Sequence, residues 1–143
     1  MNTTPVSILL VEDDEIDAEG IRRAFARMRI ANPLTVARDG VEGLQILRGE
    51  DGQPRFPTPH IILLDLNMPR MTGLEFLDAI RKDPKLHSSV VFVLSTSAEE
   101  SDKVQAYDYN VAGYIHKTRA GETFMEAVAM LDHYWRLVEF PNA

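Results

Sequence analysis

Four short clusters along the chain carry groups able to do chemistry: Glu12-Asp13-Asp14, Asp65, Ser95-Thr96 and His116-Lys117. Two or three carboxylates gathered in a partly buried cleft repel one another, and a cation resolves that conflict. The ligands on offer are oxygens, with no cysteine in the chain and no obvious histidine pair, so the ion is a hard one. A few carboxylates completed by water suit Mg²⁺ better than a caging Ca²⁺ site. Lys117 adds a positive charge that can meet a phosphoryl oxygen, and Ser95 adds a hydroxyl donor. Together these groups describe a place to carry a phosphoryl group on a carboxylate. Each has a plainer reading on its own: Asp13 and Asp14 as helix caps, Asp65 as a turn former before Pro69, Ser95 as a cap, Lys117 as a solvated charge. Their coincidence at the ends of separate strands is what favours chemistry.

The strands that would position these groups are short, β-branched and nearly unbroken by polar residues, as in strands buried on both faces: Val6–Val11, Ile61–Leu64, Val90–Leu94 and Val111–Ile115. Leu34-Thr35-Val36-Ala37 is a weaker fifth, and it alone ends without a comparable group, in Arg38-Asp39. Between them lie apolar residues at helical spacing: Ile21, Ala24, Phe25 and Met28; Leu74, Leu77 and Ile80; Phe124, Val128, Leu131 and Trp135. Asp14 is placed to cap the first helix, while Thr72 with Glu75 and Ser97 with Glu100 have the spacing of capping boxes. Gly49 to Pro59 reads as a surface loop. Strand–helix alternation with right-handed crossovers predicts an α/β fold with a doubly wound five-stranded parallel sheet. In such a sheet, ligands bind outside the carboxyl ends of the strands, and with strand order 2-1-3-4-5 Asp13 and Asp65 stand beside the switch point.

The 143 residues suit one domain. A formal charge of −7, from 15 Lys and Arg against 22 Asp and Glu with no basic cluster, argues against a nucleic-acid partner. The N-terminal residues have no secretory pattern, and no apolar run approaches the length of a membrane span, so the expected location is cytoplasmic with no membrane partner.

Nearly all of residues 6 to 137 resembles the response-regulator receiver family, whose fold is flavodoxin-like. Ile8-Leu9-Leu10-Val11-Glu12-Asp13-Asp14 looks like the family's first strand and acidic pair, and Leu64-Asp65-Leu66-Asn67-Met68-Pro69-Arg70-Met71-Thr72-Gly73 looks like its phosphorylation motif. From Ser95 the register runs without a gap to Gly113-Tyr114-Ile115-His116-Lys117. The resemblance implies Asp65 as the phosphoacceptor, phosphorylated by a sensor histidine kinase. It implies Asp13, Asp65 and the backbone carbonyl of Asn67 as Mg²⁺ ligands, with Glu12 acting on the ion directly or through water. Ser95 and Lys117 would meet the phosphoryl oxygens, with Ser95 and Tyr114 as the switch pair. Where the family usually follows this lysine with a proline in a cis peptide, Thr118 stands here, and a cis bond before a non-proline residue costs about 2.5–4 kcal/mol. That argues for a differently shaped loop after the fifth strand.

The tail His133-Tyr134-Trp135-Arg136-Leu137-Val138-Glu139-Phe140-Pro141, with the loop at Gly49–Pro59, is similar to that of single-domain regulators associated with phytochrome-type histidine kinases. Residues 1–143 are then one receiver domain with a C-terminal extension from about residue 133. With no output domain following Ala143, the signal is expected to pass to a downstream protein or phosphotransfer partner. Two apolar stripes on the last helix, one with Trp135 and one with Tyr134 and Leu137, predict a homodimer through the C-terminal region. A haloacid-dehalogenase-type phosphatase would need a second acid where Asn67 stands, so turnover as an enzyme is not expected. An FMN carrier would need a phosphate cradle where Glu12-Asp13-Asp14-Glu15 repels anions. A receiver reduced to a docking module would not retain Asp13, Asp65, Ser95 and Lys117 together.

Overall fold

A computed structural model of the chain describes residues 5–96, 99–117 and 125–140, with the side chains of 125–127 left aside. Five strands alternate with five helices: β1 (Ser7–Val11), α1 (Glu15–Arg27), β2 (Leu34–Ala37), α2 (Gly40–Arg48), β3 (His60–Leu64), α3 (Gly73–Lys82), β4 (Val90–Ser95), α4 (Glu100–Asp108), β5 (Gly113–His116) and α5 (Met125–Leu137). All strand pairs are parallel, in the order β2-β1-β3-β4-β5. This is the doubly wound sheet expected from the unbroken apolar runs, since every residue of β1 and β3 is buried.

Alternation along the strands divides the core in two. Ile8, Leu10, Ile61, Leu63, Phe92 and Leu94 face α1 and α5, where Ile21, Phe25, Val128, Leu131 and Trp135 complete one cluster. Leu9, Val11, Ile62, Leu64, Val91 and Val93 face the other helices and pack with Leu44, Leu47, Phe76, Leu77 and Ile80.

Two helix starts follow the expected capping chemistry. Asp14 accepts from the N–H groups of Ile16 and Asp17, and Thr72 with Glu75 forms a complete capping box. The box expected from Ser97 and Glu100 rests on a residue outside those described. α4 as described begins at Glu100 with Glu99 at its N-cap, which makes no side-chain cap bond. β5 starts later than the apolar run suggested: Val111 is buried ahead of it, and Ala112 N–H donates to the Val91 carbonyl.

Candidate functional site

Register, rather than side-chain attraction, assembles the site. Val11 pairs with Leu64, and beyond that pair Asp65 N–H donates to the Val11 carbonyl while Glu12 N–H donates to the Ala37 carbonyl. Glu12 and Asp65 therefore leave adjacent central strands at one level. On the other side Ser95 pairs with His116, and Lys117 N–H donates to the Ser95 carbonyl at 2.8 Å. Four of the residues expected from sequence thus reach the carboxyl edge of the sheet on neighbouring strands.

The loop after Asp65 is shaped to present it. Asn67 N–H approaches the Asp65 Oδ1 at 3.4 Å, Met71 N–H donates to the Pro69 carbonyl across Arg70, and Arg70 sits at a φ of 68°. A hydrogen bond closing so tight a turn over a positive φ is a strained device. Gly73 permits the return: a Cβ there would lie 2.6 Å from the Asp65 carbonyl oxygen and 2.6 Å from Leu66 Cα.

Glu12, Asp13 and Asp65 each offer a carboxylate oxygen within 4.8 Å of the others, the spacing of ligands around one ion. Glu12 is 2% exposed and Asp65 5%, whereas Asp13 is open to solvent. Lys117, itself 8% exposed, reaches the same place: its Nζ lies 2.6 Å from Glu12 Oε1 and 3.9 Å from Asp65 Oδ2. A third partner is Asp17 on α1, whose Oδ2 is 2.7 Å from Nζ.

One ammonium among this many carboxylates leaves surplus negative charge in a poorly solvated place. Burial pushes the Glu12 carboxyl up to about 8, with the Asp65 charge adding to the rise and Lys117 opposing it. Burial likewise raises Asp65, against the pull of Lys117 and of its hydrogen bond with Glu12. For Lys117 burial works against the charge, but the hydrogen bonds it donates to Asp17 and Glu12 and the Glu12 and Asp65 charges outweigh it, leaving the amine above its ordinary value. Carboxylates whose proton affinity is raised by burial for want of positive charge form a site that a divalent cation can complete, and the donor set of carboxylates fits a hard ion.

Ser95 is fully buried beside this group, and Tyr114, on the neighbouring strand, is half-buried against the core cluster under α2, α3 and α4. Thr118 lies outside the described residues.

Two residues of this edge escaped the sequence reading. Asp17 stands one helical turn beyond Asp13, and that i, i+4 relation was the signal available. Asp39, which ends the strand without an apparent functional group, is buried. Its Oδ1 accepts from Glu42 N–H to cap α2, and its Oδ2 receives Arg70 at 3.1 Å, tying the loop after Asp65 to α2.

A doubly wound sheet carrying an acidic trio and a lysine at the ends of its strands defines a phosphoacceptor switch class, and comparison with known proteins agrees. Residues 8–129 match the model of the response regulator receiver domain, so the chain belongs to the response regulator receiver family. It is 33% identical over 131 residues to response regulator Rcp1 of Synechocystis sp., covering 92% of this chain and 89% of that protein. It is 36% identical over 131 residues to the probable methanogenesis regulatory protein FilR2 of Methanothrix harundinacea, covering 92% and 84%. Among solved structures, the Mn²⁺-bound form of Rcp1 matches with a TM-score of 0.83 at 33% identity over 96% of this chain and 99% of that one. The phosphorylated cyanobacterial phytochrome response regulator RcpA matches with a TM-score of 0.83 at 34% identity, over 97% and 100%. Receiver domains partner with histidine kinases, which sets the class of protein this chain works with. No helix among the described residues is long and apolar enough to cross a membrane.

Proposed function

We propose that residues 1–143 act as a single receiver domain in which Asp65 accepts a phosphoryl group from a sensor histidine kinase. The observation that carries this reading is the convergence of Glu12, Asp13 and Asp65 within ligand distance of one another, with Lys117 Nζ 3.9 Å from Asp65. An Asp65 carboxylate oxygen attacks phosphorus, the P–N bond of the donor phosphohistidine breaks, and its electron pair stays on the imidazole. The nucleophile needs no deprotonation when ionised, so catalysis reduces to alignment and to spreading the charge on the transferring group. Lys117 and Ser95 meet phosphoryl oxygens with an ammonium and a hydroxyl. Asp13, Asp65 and the backbone carbonyl of Asn67 would hold Mg²⁺, with Glu12 acting directly or through water. When bound, the ion neutralises charge on the transferring oxygens. Ser95 and Tyr114, on paired strands, carry the change of state toward the surface around β5.

The test is intact mass after incubation with a small acyl phosphate and Mg²⁺. The wild-type chain gains one phosphoryl group, and Asp65→Asn gains none. Phosphate on that variant under the same conditions would sink the assignment.

The similarity to RcpA, a phytochrome response regulator, supports a phytochrome-type kinase upstream, and the near end-to-end match to Rcp1 and RcpA supports a stand-alone regulator handing its signal to another protein or a phosphotransfer partner. A homodimer through the C-terminal region has narrower support than the sequence suggested. Trp135 is a core residue packed 6.1 Å from the Phe25 ring, and Tyr134 meets Phe92 edge-on at 4.9 Å, so among the described side chains only Met130, Leu137 and Val138 leave α5 and its end apolar and exposed. Truncation before His133 would remove part of the core, which makes Leu137→Asp the cleaner probe. Sedimentation should show a dimer for wild type and a monomer for that variant, and two monomers would end the idea.

A further inference from the structure

Lys117 is held by more carboxylate than the reaction requires. Its Nζ sits 2.6 Å from Glu12 and 2.7 Å from Asp17, and only 3.9 Å from Asp65, outside hydrogen-bond range of the residue it must serve. Asp17 comes from α1 rather than from a strand end, is separated from Lys117 by 100 positions in sequence, and its side chain is 26% exposed. It is therefore the partner with the easiest route to water, since it alone of the pair holding Nζ can be resolvated without opening the core. Asp14 accepts Asp17 N–H at 3.1 Å, which seats the residue in the first helical turn facing the sheet edge.

We propose that Asp17 is a positioning residue that competes with the phosphoryl group for Lys117: it holds the ammonium back from Asp65 in the resting chain and gives it up when a phosphoryl oxygen arrives. An ammonium has three N–H donors. In the resting chain Glu12 and Asp17 take the two short contacts, and closing on a phosphoryl oxygen at Asp65 exchanges the Asp17 contact for the new one while Glu12 keeps the amine anchored. The proposal rests on the phosphoacceptor reading above and adds a cost to reaching the phosphorylated state that this chain sets through α1.

Beryllium fluoride, a phosphoryl mimic, titrated at saturating Mg²⁺ and followed by fluorine NMR, tests this. Asp17→Asn removes the competing charge at constant size and should bind the mimic about fivefold tighter, the size of one partly exposed ion pair. Asp17→Glu should bind close to wild type. In a Lys117→Met background the gain from Asp17→Asn should vanish, because nothing remains to compete for. Equal affinity of wild type and Asp17→Asn, or a gain that persists without Lys117, overturns the proposal while leaving the phosphoacceptor site standing. Failure of the wild-type chain itself to bind beryllium fluoride with Mg²⁺ overturns both.

Discussion

Two partly buried cations sit at different places in this fold, and the difference lies in what receives them. Arg81 on α3 donates to four backbone carbonyls: Nε to Tyr109 at 2.7 Å, Nη1 to His87 and Ser89 at 2.8 Å each, and Nη2 to Asn110 at 3.1 Å. Those acceptors are neutral, fixed in loops that enter β4 and β5, and offer nothing to exchange with. Lys117 is held instead by Glu12 and Asp17, with Asp65 close by, an arrangement with more negative charge than one ammonium neutralises. A cation on carbonyls ties elements together, whereas one among surplus carboxylates can be traded for a metal ion or given to a phosphoryl group.

Removing each cation sharpens that contrast. Lys117→Met should lower the rate of phosphorylation by a small phosphodonor on the order of a hundredfold, as expected for losing one preorganised positive group at a developing charge. Its melting temperature in Mg²⁺ should stay close to wild type. Arg81→Met should do the reverse: unfolding free energy falls by about 2–3 kcal/mol because several carbonyls lose a charged donor, while phosphorylation of the folded fraction is retained. Equal stability losses for the two variants in denaturant titrations would erase the distinction.

A second pair separates ligand from support among the carboxylates themselves. Asp13→Ala should abolish saturable Mg²⁺ binding in a calorimetric titration with little change in stability, since Asp13 is exposed and belongs to the ligand trio. Asp39→Ala should bind Mg²⁺ as wild type does but lose about 1–2 kcal/mol, since it removes the cap of α2 and frees Arg70 from the phosphoacceptor loop. A loss of Mg²⁺ binding in Asp39→Ala would move that residue from support to ligand.

The strand ends were legible because buried parallel strands read as uninterrupted apolar runs, so Glu12, Asp65, Ser95 and Lys117 could be located by where each run stopped. Asp17 was not. An acid in the first turn of a helix is already explained by the helix dipole, and its pairing with Lys117 is a tertiary fact that no local spacing encodes. Asp39 was passed over for the same reason: its local role as a cap is complete without Arg70. On α5 the apolar spacing was read correctly, but it marks residues that meet α1 and the sheet, so Val128, Leu131 and Trp135 fill the core rather than a partner's surface.

The smallest expected effect distinguishes the proton from the metal as the counter-charge at the site. In the folded chain Glu12 titrates near 8 rather than at its ordinary 4.5, so between those values the native state holds a proton that the unfolded chain has released. Stability contributed by a group bound to more protons when folded falls as pH rises, so metal-free protein should melt a few degrees lower at about pH 8 than at about pH 7 on account of this group. Arg81, received by neutral carbonyls, adds nothing to that slope. Mg²⁺ replaces the proton as the source of positive charge, so saturating Mg²⁺ should flatten the decline, and Glu12→Gln should flatten it without the ion. Scanning calorimetry at the two pH values, with and without Mg²⁺, reads all four cases. A wild-type slope unaffected by both the ion and the substitution would mean that Lys117 already neutralises the site and that no unmet charge waits there for a metal.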